Sequence, residues 1–419
     1  MNRLYSTELY PYKKVFDAGI TSVMTAHLSV PSIEPNDRLP SSLSKNVVTN
    51  LLLEKLGFLG LVVTDGLNMK GASGYATSAE INLAAIQAGN DLLLIPQEIP
   101  ATVKLIKKAI QLKSLTEERI TFSVKKILRA KYWAGLHKYR PIIIENIQND
   151  LNTIEDSLLH RELVKNSLTV IKDQSGDVPI RDLEKRKIAY VQLGDASGNY
   201  FVNMLQNYTQ VDVISSKNLE GIIKKLQPYN LVIIGFHKSN SNPWKSYKFS
   251  NKELVWLREI ARAKEVVLDV FTSPYSLLQV KKIKNIEAIV VSYQNSKVAQ
   301  ELSAQLIFGA FGARGKLPVS IKNKFSEGQG LTTLELSRLG YTIPEAVHLS
   351  SKKLEKIDSL ASIILEKKMA PGFQVLVAKN SKVVFTKSYG YHTDKKKELV
   401  KNKDIYDVAS LTKILATLP

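Results

Sequence analysis

The first 140 residues alternate between short apolar runs and longer stretches with helical spacing. The apolar runs are of strand length and lie at 22–27, 60–66 and 91–96, and apolar residues three and four apart mark helices at 44–56, 79–88, 99–112 and 116–134. Because the runs are apolar throughout rather than alternating, they predict parallel strands buried on both faces. This part of the chain is therefore expected to be built from repeated β/α units.

A second α/β pattern follows residue 165. Its apolar runs predict five strands, at 188–193, 211–214, 231–234, 266–270 and 288–291. Helical spacing lies between them, for example at 253–263 and 296–308. The order predicts a doubly wound sheet that closes near Ile321.

The remainder of the chain indicates a connector and a third unit. Residues 322–345 are rich in Gly, Ser and Thr, which is typical of a linker, and 351–367 has the pattern of one long helix. An apparent hairpin follows, with strands at 374–378 and 383–385. We therefore expect four segments: domains at 1–140, 141–322 and 350–419, and a linker at 323–349.

Composition narrows the class of protein. The 419 residues are 44% apolar and 23% charged, which is typical of a globular protein, and no apolar run is long enough for an integral membrane segment. The net charge of +19 comes from lysines spread along the chain, so we interpret it as solvated surface, with an anionic partner such as a cell-wall polymer as the alternative, and expect no nucleic-acid partner. The chain has no Cys and its six His are scattered, so we expect no disulfide, no metal site and no cofactor.

Asp65 is the first candidate for chemistry. It ends the apolar run at 60–66 and stands directly before Gly66. The carboxyl ends of parallel strands carry the active sites of barrels and open α/β sheets. A carboxylate there can be a nucleophile, a metal ligand or simply a helix cap.

The residues around Asp65 narrow these alternatives. The stretch from Glu54 to Met69 resembles glycoside hydrolase family 3, in its β-N-acetylhexosaminidase branch, and so do Val23–His27, Ala88–Leu94, Asn166–Lys172 and Gly315–Ile321. The resemblance covers about residues 1–322. It implies the C-terminal part of a (β/α)8 barrel, followed by a complete α/β sandwich domain. It also makes Asp65 the glycosidase nucleophile and places His27, Asn68 and Met69 at the sugar site.

The same resemblance implies that the reaction machinery is incomplete. A retaining glycosidase needs a nucleophile and a second group that protonates the leaving oxygen. In this family branch an Asp/His pair on a loop supplies the proton, and a Lys-His pair holds the sugar. The sequence contains neither a Lys-His nor an Asp-x-His pattern. We therefore expect an internal fragment whose glycosidase activity is impaired.

Ser410 and Lys413 form a second candidate, in a Ser-x-x-Lys pattern that can also be a helix-capping Ser and a surface Lys. The residues from Met369 to Ala378, Ser388 to Tyr391 and Asp404 to Ser410 resemble the start of the class C serine β-lactamase and penicillin-binding family. The resemblance makes Ser410 an acyl nucleophile activated by Lys413. Because the later motifs of that family would follow Pro419, we expect this site to be incomplete.

These patterns lead to one hypothesis with two alternatives. The fold class is α/β, with a partial barrel, a doubly wound sandwich and the start of an α+β serine β-lactamase-like domain. The function is a retaining β-N-acetylhexosaminidase acting on amino-sugar glycans such as peptidoglycan fragments. The alternatives are a non-catalytic binding or scaffold module and a serine hydrolase of the β-lactamase or peptidase type. We expect the parent protein to be periplasmic or surface-associated, with the cytoplasm as the alternative, because the chain shows no signal peptide.

Overall fold

The protein, in a computed structural model that describes residues 2–242 and 244–417, divides into two compact units. The first unit is Met1–Ile144 and the second is Glu145–Pro419. The division lies close to the expected boundary between the first two segments.

The first unit contains a three-stranded parallel sheet. Its strands are β1 (Ser22–Thr25), β2 (Leu61–Gly66) and β3 (Leu92–Leu94), with β2 in the centre. The α-helices are α1 (Tyr10–Asp17), α2 (Lys70–Ser73), α3 (Ser78–Ala88), α4 (Ile99–Gln111) and α5 (Glu117–Trp133), and further helices of π type span Leu4–Glu8 and Asn46–Lys55. The three predicted strands and the helix after each one are thus present. The sheet is open rather than closed into a barrel.

One face of this sheet is covered and the other is open. Val62, Thr64 and Gly66 of β2 are buried beneath the helices. The alternate residues of the three strands face the other way, so that Met24 is 58% exposed and Leu92 is 36% exposed. Asp65 belongs to this second face because side chains alternate along a strand.

The second unit is organised around a six-stranded sheet. Its strands are β4 (Thr169–Asp173), β5 (Ile188–Gly194), β6 (Val211–Val213), β7 (Leu231–His237), β8 (Glu265–Phe271) and β9 (Ala288–Val291), in the order β4-β9-β8-β7-β5-β6. The five predicted strands are parallel neighbours, whereas β4 runs antiparallel to β9. The sequence prediction of five strands missed β4, whose five residues end in Lys and Asp and lack a long apolar run.

Helices cover both faces of this sheet. They are α6 (Ile147–Leu151), α7 (Ile154–Ser167), α8 (Asn199–Leu205), α9 (Leu219–Lys225), α10 (Asn251–Ala263) and α11 (Lys297–Ile307). Tyr190, Ile233 and Phe271 belong to the core on one face, and Val232, Ile234 and Leu268 belong to the core on the other. Every residue of β7 is buried, as a central parallel strand requires.

The segment expected to be a linker, 323–349, is bound to this sheet domain along much of its length. The Leu331 amide donates to the Val170 carbonyl at 2.7 Å, and the Leu336 amide donates to the Gly309 carbonyl at 2.8 Å. The Arg338 guanidinium donates to the carbonyls of Ile180 and Phe308, each at 2.8 Å. The segment therefore belongs to the second unit rather than hanging free between domains.

The last part of the chain forms a small sheet with helices. Strands β10 (Gly340–Tyr341), β11 (Gly372–Lys379) and β12 (Lys382–Gly390) lie in the order β10-β12-β11, with β11 and β12 as the predicted hairpin. The helices are α12 (Ser351–Leu354), α13 (Lys356–Glu366) and α14 (Leu411–Thr417). The predicted single helix at 351–367 is thus divided into two at Glu355.

Candidate functional site

Asp65 lies at the carboxyl end of the central strand β2, on the open face of the first sheet. Its Oδ1 accepts a hydrogen bond from the Gly66 amide at 2.7 Å. Among the described residues Oδ2 has no hydrogen-bond donor, and the side chain is only half-buried. One carboxylate oxygen is therefore oriented by the backbone while the other is free to meet a substrate.

His27 follows β1 and reaches the residue next to Asp65. Its Nε2 lies 3.0 Å from the Gly66 carbonyl oxygen and its Nδ1 lies 2.6 Å from Ser42 Oγ. A carbonyl oxygen accepts only, so Nε2 carries the proton and donates it; in the neutral ring Nδ1 accepts from the Ser42 hydroxyl. His27, predicted to bind the sugar, thus uses both ring nitrogens within the protein and holds the backbone beside Asp65.

A buried polar network extends from His27 to the ends of the strands. Ser42 is fully buried, and its carbonyl accepts from Asn90 Nδ2 at 2.7 Å. The Asn90 side chain also donates to the Ala85 carbonyl and accepts from Thr25 Oγ1, each at 2.8 Å. Buried polar groups with satisfied partners fix one arrangement, so this network positions β1, β3 and the His27 ring together.

Sequence reasoning assigned no role to Ser42 or Asn90. Ser42 stands in a Pro-Ser-Ser-Leu segment that carries no periodic pattern, so its burial depends wholly on tertiary packing. Asn90 immediately follows Gly89, which ends α3. Its place as a polar residue before an apolar strand was the one feature of the sequence that could have indicated a role for it.

Asn68 and Met69, the other residues predicted at the sugar site, lie in the turn after Asp65. The Met69 amide donates to the Gly66 carbonyl at 2.9 Å, which closes a turn over residues 66–69. Both side chains are exposed, Met69 to 49%. Asp65, His27 and this turn are therefore brought together at one edge of the first sheet, as the strand order predicts.

Ser410 and Lys413 meet in the second unit. Lys413 Nζ donates to Ser410 Oγ at 3.1 Å, at the beginning of α14. Both side chains are exposed, and Lys413 is the one side-chain partner of Ser410 within residues 2–242 and 244–417. The pairing that the spacing predicted is present, and both groups are open to water.

The described parts of the chain contain neither a metal-ligand cluster nor a membrane-spanning helix. Residues 2–242 and 244–417 contain no group of three or more His, Cys, Asp or Glu arranged to hold a metal ion. Within the same ranges no helix is long and apolar enough to cross a membrane.

The first unit is similar to a known protein family. Residues 1–130 match the family described as glycosyl hydrolase family 3 N terminal domain. A relative named beta-N-acetylglucosaminidase/beta-glucosidase from Cellulomonas fimi is 27% identical over 188 residues, which cover 43% of this chain and 33% of that protein. A beta-hexosaminidase from Chromobacterium violaceum is 36% identical over 97 residues, which cover 22% of this chain and 26% of that protein.

The fold is similar to solved structures over both units. A glycoside hydrolase family 3 beta-N-acetylglucosaminidase from Paenibacillus sp. str. FPU-7 matches with a TM-score of 0.58 and 22% identity, over 76% of this chain and 62% of that one. The matched parts of the chain span about a quarter to a third of the length of the relatives from Cellulomonas fimi and Chromobacterium violaceum. These matches support a glycosidase. Residues 1–130 are thus similar to the glycosyl hydrolase family 3 N-terminal domain, and the chain has relatives named as β-N-acetylglucosaminidase/β-glucosidase and β-hexosaminidase.

Proposed function

We propose that this chain carries the nucleophile half of a retaining β-N-acetylhexosaminidase, with Asp65 as the nucleophile. The observation that carries the proposal is the free Oδ2 of Asp65 at the carboxyl end of β2, within a family 3 domain. The proposed substrates are amino-sugar glycosides of cell-wall origin, such as peptidoglycan fragments. The corresponding location is the periplasm or the cell surface.

The geometry suits nucleophilic attack. A carboxylate that attacks an anomeric carbon must keep its charge and one accessible oxygen. The Gly66 amide donates to Oδ1 and orients the carboxylate, while Oδ2 has no donor among the described residues. His27 and Met69 both bind the Gly66 carbonyl, so the backbone that orients Asp65 is itself held from two sides.

The proposed activity is impaired because the proton donor implied by the family resemblance has no counterpart in the sequence. No Asp-x-His pattern occurs in the 419 residues. General acid assistance to the leaving group contributes roughly 10²–10⁴-fold. The chain should therefore form and break glycosyl-enzyme slowly with ordinary substrates.

The test compares Asp65→Asn with a matched exposed carboxylate, Asp37→Asn. Aryl N-acetylglucosaminides and aryl glucosides are assayed side by side, and the protein is acid-quenched for peptide mass analysis of a glycosyl adduct on residues 61–70. We expect turnover and adduct to be lost in Asp65→Asn and kept in Asp37→Asn, with the N-acetylglucosaminide preferred. Equal activity of both variants would contradict the nucleophile assignment, whereas no turnover and no adduct with the unmodified chain would favour a non-catalytic binding module.

The second candidate is a serine hydrolase site, which the contact between Lys413 Nζ and Ser410 Oγ favours. In this proposal Lys413 assists deprotonation of Ser410, which attacks an acyl carbon, as in the β-lactamase-like family that the sequence resembles. Labelling by a fluorophosphonate or a fluorescent penicillin, lost in Ser410→Ala, would support this candidate; we expect no labelling, because the Ser410–Lys413 pair is exposed.

A further inference from the structure

A cavity of about 700 Å³ in the second unit has an unusual lining. Five of its eleven lining residues are lysines, namely Lys172, Lys281, Lys282, Lys284 and Lys324, and none is acidic. A second cavity of about the same volume in that unit differs, because Glu162, Glu335 and Glu345 line it beside its basic residues. The positive charge of the first cavity is therefore a local feature and not simply the average of a basic chain.

Two of the five lysines build the wall of this cavity. Lys324 Nζ donates to the carbonyls of Leu278 and Val280 at 2.8 and 2.7 Å. Lys172 Nζ donates to the carbonyl of Ile283 at 2.7 Å and also to that of Ile286. Both ammonium groups are thus fully occupied by backbone oxygens, and burial lowers the pKa of each. They hold segment 277–286 in a defined shape.

The other three lysines stand on that held segment. Lys281, Lys282 and Lys284 are exposed, and among the described residues none has a carboxylate within 4 Å. Glu287, the acidic side chain that faces Lys172, lies outside the lining and accepts from Ser175 Oγ at 3.1 Å. Three like charges on a preorganised segment repel one another, and a bound anion relieves that repulsion.

The remaining lining residues indicate what else the ligand carries. Asn285 and Asn323 form no side-chain hydrogen bond within the described parts of the chain, so their amides are available to hydroxyl groups. Phe325 offers an aromatic ring in the same cavity. Free amides, a ring face and ammonium groups together match a sugar chain that bears acidic groups.

We propose that this lysine-lined cavity binds an anionic glycan through Lys281, Lys282 and Lys284. The acidic groups of the glycan pair with the three ammonium groups, and its hydroxyls meet Asn285 and Asn323. This site is in the second unit and uses none of the residues assigned to hydrolysis. It therefore does not depend on the nucleophile assignment.

The test measures binding to the full chain by fluorescence anisotropy. The probe is a labelled galacturonic acid hexamer, and a labelled neutral chitin hexamer and a labelled DNA duplex are compared with it. The variant is Lys281→Gln/Lys282→Gln/Lys284→Gln. Its matched control is Lys395→Gln/Lys396→Gln/Lys397→Gln, which removes the same charge from another exposed run. Thermal unfolding of each protein verifies the fold.

We expect the cavity variant to weaken galacturonate binding by about tenfold, because it removes three exposed ion pairs that are each weak, and the control to change binding by less than about twofold. High salt should weaken binding to the unmodified chain and flatten this difference. Equal losses in the two variants, no binding of the acidic hexamer, or a larger cavity-dependent loss for DNA would each overturn the proposal. Retained cavity binding in Asp65→Asn would show that it stands apart from hydrolysis.

Discussion

His27 and Gly66 are joined by a hydrogen bond of 3.0 Å from the imidazole Nε2 to the carbonyl oxygen. The bond connects the segment after β1 to the turn after β2, and its acceptor is the residue that also donates to Asp65. Because Ser42 engages the other ring nitrogen, the ring is fixed at both ends. The backbone around Asp65 is therefore preorganised by residues that need not touch the sugar.

The close approach of Gly71 to His27 gives the first prediction. A Cβ at position 71 would lie 2.8 Å from His27 Cβ, whereas one at Gly74 would meet nothing closer than 3.6 Å. We expect Gly71→Ala to displace the His27 ring. The variant should lose about 1–3 kcal/mol from the free energy of unfolding, and the activation free energy of hydrolysis should rise by at least the same amount.

Gly74→Ala is the control for this substitution, because Gly71 lies within the short helix α2, Gly74 caps the same helix, and neither glycine has a positive φ. It should change stability and rate little. Urea unfolding and steady-state hydrolysis measure both variants. A harmless Gly71→Ala would show that the His27 ring has room to move.

Leaving-group chemistry gives the second prediction. An aryl glycoside with a strongly acidic phenol departs without protonation, whereas an ordinary alkyl glycoside needs an acid. Under the proposed function, in which no general acid assists Asp65, the ratio of the two rates should exceed that of an intact family 3 enzyme by roughly 10²–10⁴-fold. Steady-state assays on dinitrophenyl and methyl N-acetylglucosaminides measure it. A ratio equal to that of an intact enzyme would mean that another group in this chain supplies the proton.

Asp269 gives a prediction on pH and stability. It is fully buried in β8, accepts from Ser292 Oγ at 2.7 Å and also from Ser303, and burial raises its pKa to about 7. An ordinary Asp has a pKa near ~3.9, so between those values the folded protein holds a proton that the unfolded chain releases. Asp269 therefore costs stability progressively as pH rises from about 4 to about 7.

His237 acts in the opposite direction. Burial lowers the pKa of its imidazole to about 4, so its stabilising contribution is lost as pH falls from about 6.5 towards 4. The two residues thus partly cancel in the unmodified protein. Asp269→Asn removes the contribution of Asp269 and leaves that of His237. As pH rises from about 4 to about 7, we expect the free energy of unfolding of the variant to increase by about 2–4 kcal/mol relative to that of the unmodified protein. Urea unfolding at several pH values tests this, with exposed Asp150→Asn as a control expected to stay flat.

Gln305 gives a prediction on the segment that follows the sheet domain. Its Oε1 accepts from the Tyr341 amide at 2.8 Å and its Nε2 donates to the Tyr341 carbonyl at 3.1 Å, so the side chain binds β10 as a neighbouring strand would. Gln305 is 2% exposed. Gln305→Ala should lower the free energy of unfolding by about 1–3 kcal/mol, because two backbone groups lose a partner. Exposed Gln227→Ala should have little effect in the same chemical unfolding experiment.

Ser410 gives the last prediction. Its contact with Lys413 is exposed, and water competes for both groups. Acylation also requires preorganised donors for the oxyanion, and losing one donor costs roughly 10²–10³-fold. We expect a fluorophosphonate probe to leave Ser410 unlabelled after an incubation that is long enough to label an ordinary serine hydrolase completely. Stoichiometric labelling that disappears in Ser410→Ala would contradict this.

Local pattern was enough to predict most elements of the fold. Apolar runs predicted β1, β2, β3 and the five parallel strands of the second sheet. This succeeded because a strand that is buried on both faces consists of consecutive apolar residues. The same run correctly placed Asp65 at the carboxyl end of a strand, whereas its role in hydrolysis stays a prediction.

Tertiary structure decided what local pattern could not. β4 is a strand because its backbone pairs with β9, more than a hundred residues away, and not because its own sequence is strongly apolar. Residues 331–341 have the composition of a linker, yet Gln305 and the Gly309 carbonyl bind their backbone. His27, likewise, is held by Ser42 and the Gly66 carbonyl because three separate loops meet there. Hydrogen bonds between residues far apart in sequence leave no periodic trace, so only the folded chain reveals them.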